Sequence, residues 1–275
     1  MKLRKAIDKA KEARKEETPG KSTISIEKKD DTGNNEWIVP TYFESKSVGL
    51  NQKAMEENRC VCILPESPEI NYYKVLRTQI QQLAIEKKWN TFMITSAHPG
   101  EGKTLTSINL ALTFAKAFNQ TVLLVDCDLQ HQTIQKYLGI SNKMGLIDYL
   151  LDNRQLKDII VWPGIEKMTL ISGGKTIKDS AEFLGSPKMK SLVTEMKTRY
   201  KDRFILFDAP PVLSKADAIA FSPLVDGIVM VVENGKTPMQ DVKKAVELIP
   251  KEKFLGFVLN KKRSTLKEMI NNPYH

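Results

Sequence analysis

Cysteine is scarce in this chain, and long apolar runs are missing from it. Three cysteines in 275 residues are too few, and too odd in number, for a disulfide framework, so the composition favours a reducing compartment. No uninterrupted apolar stretch approaches the roughly 20 residues that a helix needs to cross a bilayer. Residues 1–7, MKLRKAI, are too charged for the apolar core of a secretory signal. We therefore expect a cytoplasmic location.

The net charge is positive, at a formal value of +9. The basic residues gather in 2–15 and 251–267, where acidic residues are interspersed. They do not form the aromatic-interleaved basic stripe that is typical of single-strand binders. We therefore expect no nucleic-acid partner, while weak attraction to anionic lipid headgroups or to an acidic protein stays open.

The chain is predicted to divide into three parts. Residues 1–58 combine a charged helix at 1–17 with a Gly-, Ser-, Asn- and Glu-rich stretch that shows no sustained periodicity. Because such a composition buries little apolar surface, this stretch is predicted to be a flexible linker. Residues 59–263 are predicted to form the main domain, with order beginning near Cys60, and residues 264–275 a short tail.

Predicted strands and helices alternate along the main domain. Strands are predicted at 91–95, 121–125, 168–172, 204–207, 226–232 and 254–259. Helices are predicted at 68–86, 105–118, from about 132, 145–151, 187–200 and 239–249. The strands are continuous runs of Val, Ile, Leu and Phe, which is typical of a mostly parallel sheet covered by helices on both faces. The predicted fold class is therefore α/β.

Residues 96–104, SAHPGEGKT, have the composition of a phosphate-binding loop between a strand and a helix. In such a loop, backbone N–H groups point at phosphate oxygens, a lysine reaches the β- and γ-phosphates, and the next hydroxyl holds Mg²⁺. Ala97 replaces the usual first glycine, and Glu101 is expected to point outward because a carboxylate would repel phosphates. The predicted ligands are ATP and Mg²⁺. The predicted nucleotide-binding residues are Pro99, Gly100, Glu101, Gly102, Lys103, Thr104 and Leu105.

Two of the predicted strands end in aspartates. Asp126 and Asp128 end the segment VLLVDCD, and Asp208 ends FILFD before Ala-Pro-Pro. Ligands of open α/β sheets lie at the carboxyl ends of the strands, so all three can face one phosphate site. Asp208 is predicted to organise the metal directly or through water, and Asp126 to hold the metal or to accept a proton from the attacking hydroxyl. For Asp128, a catalytic role and a supporting or capping role stay equally open.

Together, the motifs PGEGKT (99–104), DCD (126–128) and DAPP (208–211) resemble those of the bacterial tyrosine kinases, the P-loop autokinases associated with capsule and exopolysaccharide export. The resemblance covers about residues 58–262. It implies a P-loop NTPase-type fold and ATP-dependent phosphorylation of protein tyrosines, with Asn260 at the adenine. The catalytic residues that it implies are Lys103, Asp126, Asp128 and Asp208, and the metal-binding residues are Thr104, Asp126 and Asp208.

The resemblance also implies partners and a location. The chain resembles the split form of the family, in which a separate membrane-embedded polysaccharide co-polymerase, the regulator of chain length, activates the kinase. It implies a homo-oligomer and a peripheral position at the inner face of the plasma membrane.

Three departures from the family pattern bear on the activity. Gln130 stands where the family usually has arginine, and the helix before the loop has Asn71, Lys74 and Arg77 where the family has Glu-x-x-Arg-x-x-Arg. The usual tyrosine-rich tail is reduced to Tyr274, which is the candidate phosphoacceptor. The alternative function is an ATP-switched assembly factor that regulates a membrane partner without phosphorylating tyrosine. His98 argues against that alternative, since partitioning ATPases of related fold carry a lysine there.

Overall fold

The structure is a computed structural model that describes residues 46–64, 67–117, 120–152, 154–199 and 203–262. The predicted helix at 1–17, the linker as far as residue 45, the tail from residue 264 and Tyr274 lie outside these residues. The strands are β1 Lys46–Ser47, β2 Thr91–Ser96, β3 Thr121–Asp126, β4 Ile160–Trp162, β5 Met168–Ile171, β6 Arg203–Asp208, β7 Gly227–Glu233 and β8 Phe254–Asn260. The helices are α1 Gln52–Glu57, α2 Ile70–Lys87, α3 Lys103–Ala115, α4 Ile134–Leu138, α5 Leu146–Asp152, α6 Leu156–Ile159, α7 Ser180–Leu184, α8 Pro187–Arg199, α9 Asp217–Phe221 and α10 Met239–Glu247.

The eight strands form one sheet in the order β1-β4-β5-β3-β6-β2-β7-β8. Neighbouring strands run parallel except for β4 and β5, which are antiparallel. β2 and β3, which precede the predicted phosphate loop and the Asp-Cys-Asp motif, are buried along their whole length. The predicted α/β fold with a mostly parallel sheet is confirmed.

The core has two halves, one on each face of the sheet. Side chains alternate between the faces along a strand, so Ile94 and Leu124 belong to one half, and Met93 and Val125 to the other. Helices α1 to α4 supply buried residues to the first half, and α5 to α10 to the second. Within the part of the chain that the structure describes, no helix is long and apolar enough to cross a membrane.

Ordered structure begins before the predicted start near Cys60. Residues 46–58 were expected to be linker, but they include β1, whose Ser47 pairs with Trp162, and α1, which Asn51 caps by accepting a hydrogen bond from Ala54 N at 3.1 Å. Met55 is fully buried in the core. The linker prediction is wrong for this stretch because a two-residue strand and a helix anchored by one methionine have no measurable periodicity.

Other short elements were also missed. α6, α7 and α9 have four or five residues each and β4 has three, which is too short for a hydrophobic period to emerge. β4 extends the sheet beside β5 and pairs in turn with β1. None of these elements changes the fold class, but the segment before α9 lines the site described next.

Candidate functional site

The loop between β2 and α3 has the strand–loop–helix form that a phosphate site requires. Gly100 and Gly102 have left-handed backbones, with φ of 82° and 97°. A Cβ on Gly102 would lie 2.1 Å from Asn260 Nδ2, so a larger residue cannot stand there without displacing Asn260. Glycine at position 102 therefore allows both the turn and the close approach of β8. Helix α3 begins directly after Gly102, so the N–H groups of its first turn lie at the loop.

Lys103 is buried at the start of α3, and carboxylates surround its ammonium group. Its Nζ lies 2.9 Å from Asp128 Oδ2 and 3.8 Å from Asp208 Oδ2, and 3.3 Å from Thr104 Oγ1. Burial by itself lowers the pKa of Lys103, but Asp208, Asp128 and Asp126 together outweigh it, so the pKa is raised above its usual value. The lysine is therefore held in its charged form.

Asp208 is completely buried at the end of β6, next to Lys103. Its Oδ1 lies 3.2 Å from Ser107 Oγ, and its Oδ2 has no hydrogen-bond partner. Burial raises the pKa of Asp208, and the nearby Lys103 opposes that shift. A buried carboxylate oxygen without a donor fits a site that a metal-bound water completes.

The donor set fits Mg²⁺ rather than a metal held by protein alone. Among the described residues, no group of three or more His, Cys, Asp or Glu side chains is arranged to hold a metal ion. Mg²⁺ on a nucleotide typically takes most of its ligands from phosphates and water, with only one or two from the protein. The Thr104 hydroxyl and the Asp208 oxygen that lacks a hydrogen-bond partner are the two oxygen atoms here that could serve in this way.

Asp126 and Asp128 have different surroundings although they stand two residues apart. Asp126 is fully buried, and its two oxygens accept hydrogen bonds from Asp128 N at 3.1 Å and Ile134 N at 3.4 Å. Burial, and next the Asp208 carboxylate, raise the pKa of Asp126 well above its usual value. Asp126 thus shapes the segment from β3 to α4, whereas Asp128 faces the cleft beside Lys103.

A cleft of about 350 Å³ opens above the loop. Its lining residues are Pro99, Gly100, Gly102, Lys103, Thr104, Leu105, Asp128, His131, Thr133, Tyr137, Pro210, Pro211, Ser214 and Lys215. Most of the predicted nucleotide-binding residues are therefore brought together. Sequence analysis did not single out Thr133, whose Oγ1 lies 3.4 Å from Thr104 Oγ1, nor His131, Ser214 or Lys215. The only signal for them was that they follow the two aspartate motifs closely.

Glu101 does not point outward as predicted. It was predicted to point outward, yet its exposed fraction is only 2%. The carboxylate accepts hydrogen bonds from His98 N at 2.8 Å, from Thr237 Oγ1 and from Glu233 N at 3.5 Å. These donors replace water, so the carboxylate is buried on the side of β7 and ties the loop to the turn that follows this strand.

The end of β8 holds the same loop from the other side. Asn260 Nδ2 donates to the backbone oxygen of Glu101 at 2.8 Å, and Lys261 Nζ donates to that of Gly100 at 2.6 Å. Asn260, which the resemblance assigned to the adenine, is not among the residues that line the cleft. The structure gives it a contact that positions the loop.

Comparisons with known proteins agree on one family. The family model described as an AAA domain matches residues 90–255. The chain is 33% identical over 211 residues to the tyrosine-protein kinase YwqD of Bacillus subtilis, covering 76% of this chain and 88% of that protein. It is 32% identical over 193 residues to the tyrosine-protein kinase CpsD of Streptococcus agalactiae, covering 69% of this chain and 82% of that protein.

Solved structures give the same result. The crystal structure of the chimerical protein CapA2B2 superposes with a TM-score of 0.68 at 27% identity, covering 82% of this chain and 96% of that one. The kinase domain of the Escherichia coli tyrosine kinase ETK superposes with a TM-score of 0.67 at 27% identity, covering 73% of this chain and 80% of that one.

Proposed function

This chain belongs to the bacterial tyrosine-protein kinases, and we propose that it transfers the γ-phosphoryl group of ATP to tyrosine hydroxyls. The observation that carries the proposal is the position of Lys103. It stands at the first turn of α3, charged, between Asp128 and Asp208, and it faces a cleft open to solvent. A P-loop needs its lysine at this position.

Nucleotide binding is the first role of the site. Backbone N–H groups of the loop from Pro99 to Gly102 would bind phosphate oxygens, and Lys103 would exchange part of its contact with Asp128 for the β- and γ-phosphates. Thr104 and Asp208 would hold the metal, Asp208 directly or through water. When bound, Mg²⁺ neutralises charge on the phosphate oxygens.

The second role of the site is to accept the proton of the tyrosine hydroxyl. We assign it to Asp128 rather than to Asp126, because Asp128 lines the cleft, whereas Asp126 is fully buried and is not among the residues that line it. A base must come within hydrogen-bond reach of the proton that it removes, and geometry decides between candidates before pKa does. Asp126 would act by holding the segment that carries Asp128.

The acceptor and the setting are proposed from the family pattern. Tyr274 is the candidate phosphoacceptor in another copy of this chain. We also propose a homo-oligomer, and regulation of exopolysaccharide or capsule export through a membrane-embedded activator at the inner face of the plasma membrane. Helix α2 exposes Tyr72 and Val75, with exposed fractions of 74% and 59%. A homo-oligomer that packs on this helix would bury these apolar side chains.

The location can be tested by truncation at the right residue. Because β1 and α1 belong to the fold, the cut should fall after residue 45 rather than after 58. A chain lacking residues 1–45 should keep its melting temperature and lose membrane recruitment in cells that produce the activator. Unchanged recruitment of this stable truncated chain contradicts a tethering role for these residues.

The kinase proposal is tested by incubating the full chain with γ-labelled ATP and Mg²⁺, with and without the activator's cytoplasmic segment. Wild type should form phosphotyrosine, Lys103→Met should form none, and Tyr274→Phe should lose the label if that tyrosine is the acceptor. Lys116→Met, at the other end of α3, is the matched control. ATP hydrolysis without phosphotyrosine in both conditions favours the ATP-switched assembly factor instead.

A further inference from the structure

Lys215 is a second lysine that lines the cleft, besides the loop lysine Lys103. It stands at the end of the segment that follows Asp208 and lines the same cleft as Lys103 and Thr104. The sequence motifs gave it no role, and the functions assigned above do not use it.

The segment that carries Lys215 is fixed to the start of the phosphate loop. Val212 N donates to Ser96 O at 2.8 Å, and Thr95 Oγ1 donates to Pro210 O at 2.7 Å. These bonds tie the segment to the end of β2, the strand that delivers the loop. The Lys215 backbone is therefore placed rigidly with respect to the phosphate site, which is the condition for a preorganised charge.

The ammonium group of Lys215 contacts a side-chain amide oxygen and lies near a histidine ring nitrogen. Its Nζ contacts Gln130 Oε1, and His131 Nδ1 lies 3.5 Å away. Among the described residues, no carboxylate oxygen lies within 4.0 Å of it. The side-chain amide of Gln130 is itself fixed, since its Nε2 donates to Lys178 O at 2.7 Å and to Ser180 Oγ at 2.9 Å. The protein thus holds a cation at the cleft without neutralising it.

Lys215 is also close to the reacting groups. His131, which it contacts, donates its backbone N–H to Asp128 Oδ1 at 3.1 Å, and the other oxygen of Asp128 lies 2.9 Å from Lys103 Nζ. A flexible four-carbon side chain anchored at this point can turn from Gln130 toward an anion between Asp128 and the loop. The γ-phosphoryl group of a nucleotide in the cleft would be that anion.

We propose that Lys215 is a catalytic residue that contacts the γ-phosphoryl oxygens as the phosphoryl group is transferred. The proposal rests on the proposed kinase function. During transfer, the phosphorus–oxygen bond to ADP breaks and leaves its electron pair on ADP, the tyrosine oxygen bonds to phosphorus, and the phenolic proton passes to Asp128. Lys215 exchanges no proton. Its positive charge stabilises the oxygens between the attacking and leaving groups, where a cation supplied in cis or in trans lowers the barrier.

The test compares the binding of two probes to the full chain. Fluorescent N-methylanthraniloyl-ADP with Mg²⁺ reports ground-state binding, and the same probe with aluminium fluoride mimics the transferring phosphoryl group. Wild type should bind the fluoride complex more tightly. In Lys215→Met, this preference should fall by about 10-fold or more, while the affinity for the probe without fluoride stays within about twofold.

Two further variants separate charge from structure. Lys215→Arg keeps a cation and should retain the preference within about threefold. Lys178→Met removes an exposed lysine whose backbone oxygen contacts the same Gln130, and it should behave as wild type.

In phosphotransfer assays, Lys215→Met should lower kcat by about 100-fold and leave KM for ATP within about threefold.

The possible failures are distinct. If Lys215→Met keeps the wild-type preference, or loses affinity for both probes equally, the catalytic role of Lys215 is overturned. It is equally overturned if wild type binds Mg–ADP but shows no preference for the fluoride complex. A wild-type chain that binds no Mg–ADP contradicts the proposed function itself, and the role of Lys215 then falls with it.

Discussion

Lys103 Nζ and Asp128 Oδ2 lie 2.9 Å apart, so the lysine of the phosphate loop is paired with a carboxylate that follows β3, a strand separated from β2 by β6. Both side chains are largely buried, with exposed fractions of 11% and 8%. The surrounding carboxylates keep the lysine charged, and it lines the cleft. Under the proposed function, phosphates would compete with Asp128 for Lys103, and the released carboxylate would remain near the site of proton transfer.

Asp128→Asn should separate binding from catalysis. Removal of the competing charge should leave the affinity for Mg–ADP equal or higher, while loss of the proton acceptor lowers kcat for phosphotyrosine formation by about 100-fold or more. Calorimetric titration and a steady-state kinase assay measure the two effects. Asp152→Asn is the matched control, because it breaks an exposed pair with Lys175. A kcat within twofold of wild type rules out the assigned role.

Asp126 should make stability depend on pH. Its pKa is raised well above the usual value by burial and by Asp208, so at intermediate pH the folded state binds more protons than the unfolded state does. The contribution of Asp126 to stability therefore falls as pH rises from the unfolded pKa, about 3.9, through the raised folded one. Because Asp126→Asn does not titrate, wild type should gain melting temperature relative to this variant as the pH is lowered from neutral toward the unfolded pKa. If the melting temperatures of wild type and Asp126→Asn change equally with pH, the raised pKa of Asp126 is contradicted.

Glu101 should matter for stability as well as for nucleotide binding. Glu101→Ala leaves the N–H of His98 and the hydroxyl of Thr237 without their buried acceptor, which should cost about 1–3 kcal/mol in the free energy of unfolding. The loop should also lose its tie to β7 and bind Mg–ADP about 10-fold more weakly. Urea denaturation of Glu101→Ala, Thr237→Ala and the double variant checks the contact, because a coupled pair gives non-additive losses. Additive losses mean that the two side chains act independently.

The two loop glycines should respond differently to alanine. Both have left-handed backbones, so each substitution adds strain, but a Cβ on Gly102 would also meet Asn260 whereas a Cβ on Gly100 meets no atom within 4 Å. Gly102→Ala should therefore lower the melting temperature more than Gly100→Ala does. Adding Asn260→Ala to Gly102→Ala should recover part of the loss. Equal effects of the two single variants would falsify the close packing of β8 on the loop.

The sequence was sufficient for six of the eight strands and for the loop, because continuous apolar strands and the spacing of Gly102, Lys103 and Thr104 are local patterns. It was insufficient where a role depends on distant partners. Glu101 is buried because Thr237 and Glu233 supply donors more than 130 positions away, and Met55 is buried without any periodic neighbour. Lys215 reaches the cleft because the segment after β6 is bonded to the end of β2, which no sequence spacing reveals.

The central claim is that this chain couples ATP consumption to tyrosine phosphorylation at the site around Lys103. The most direct measurement is the ratio of phosphotyrosine formed to ATP consumed in one time course, with Mg²⁺ and the activating segment present. We predict a ratio near one in the early phase for wild type, and neither product for Lys103→Met. Sustained ATP consumption by wild type with a ratio near zero contradicts the kinase account.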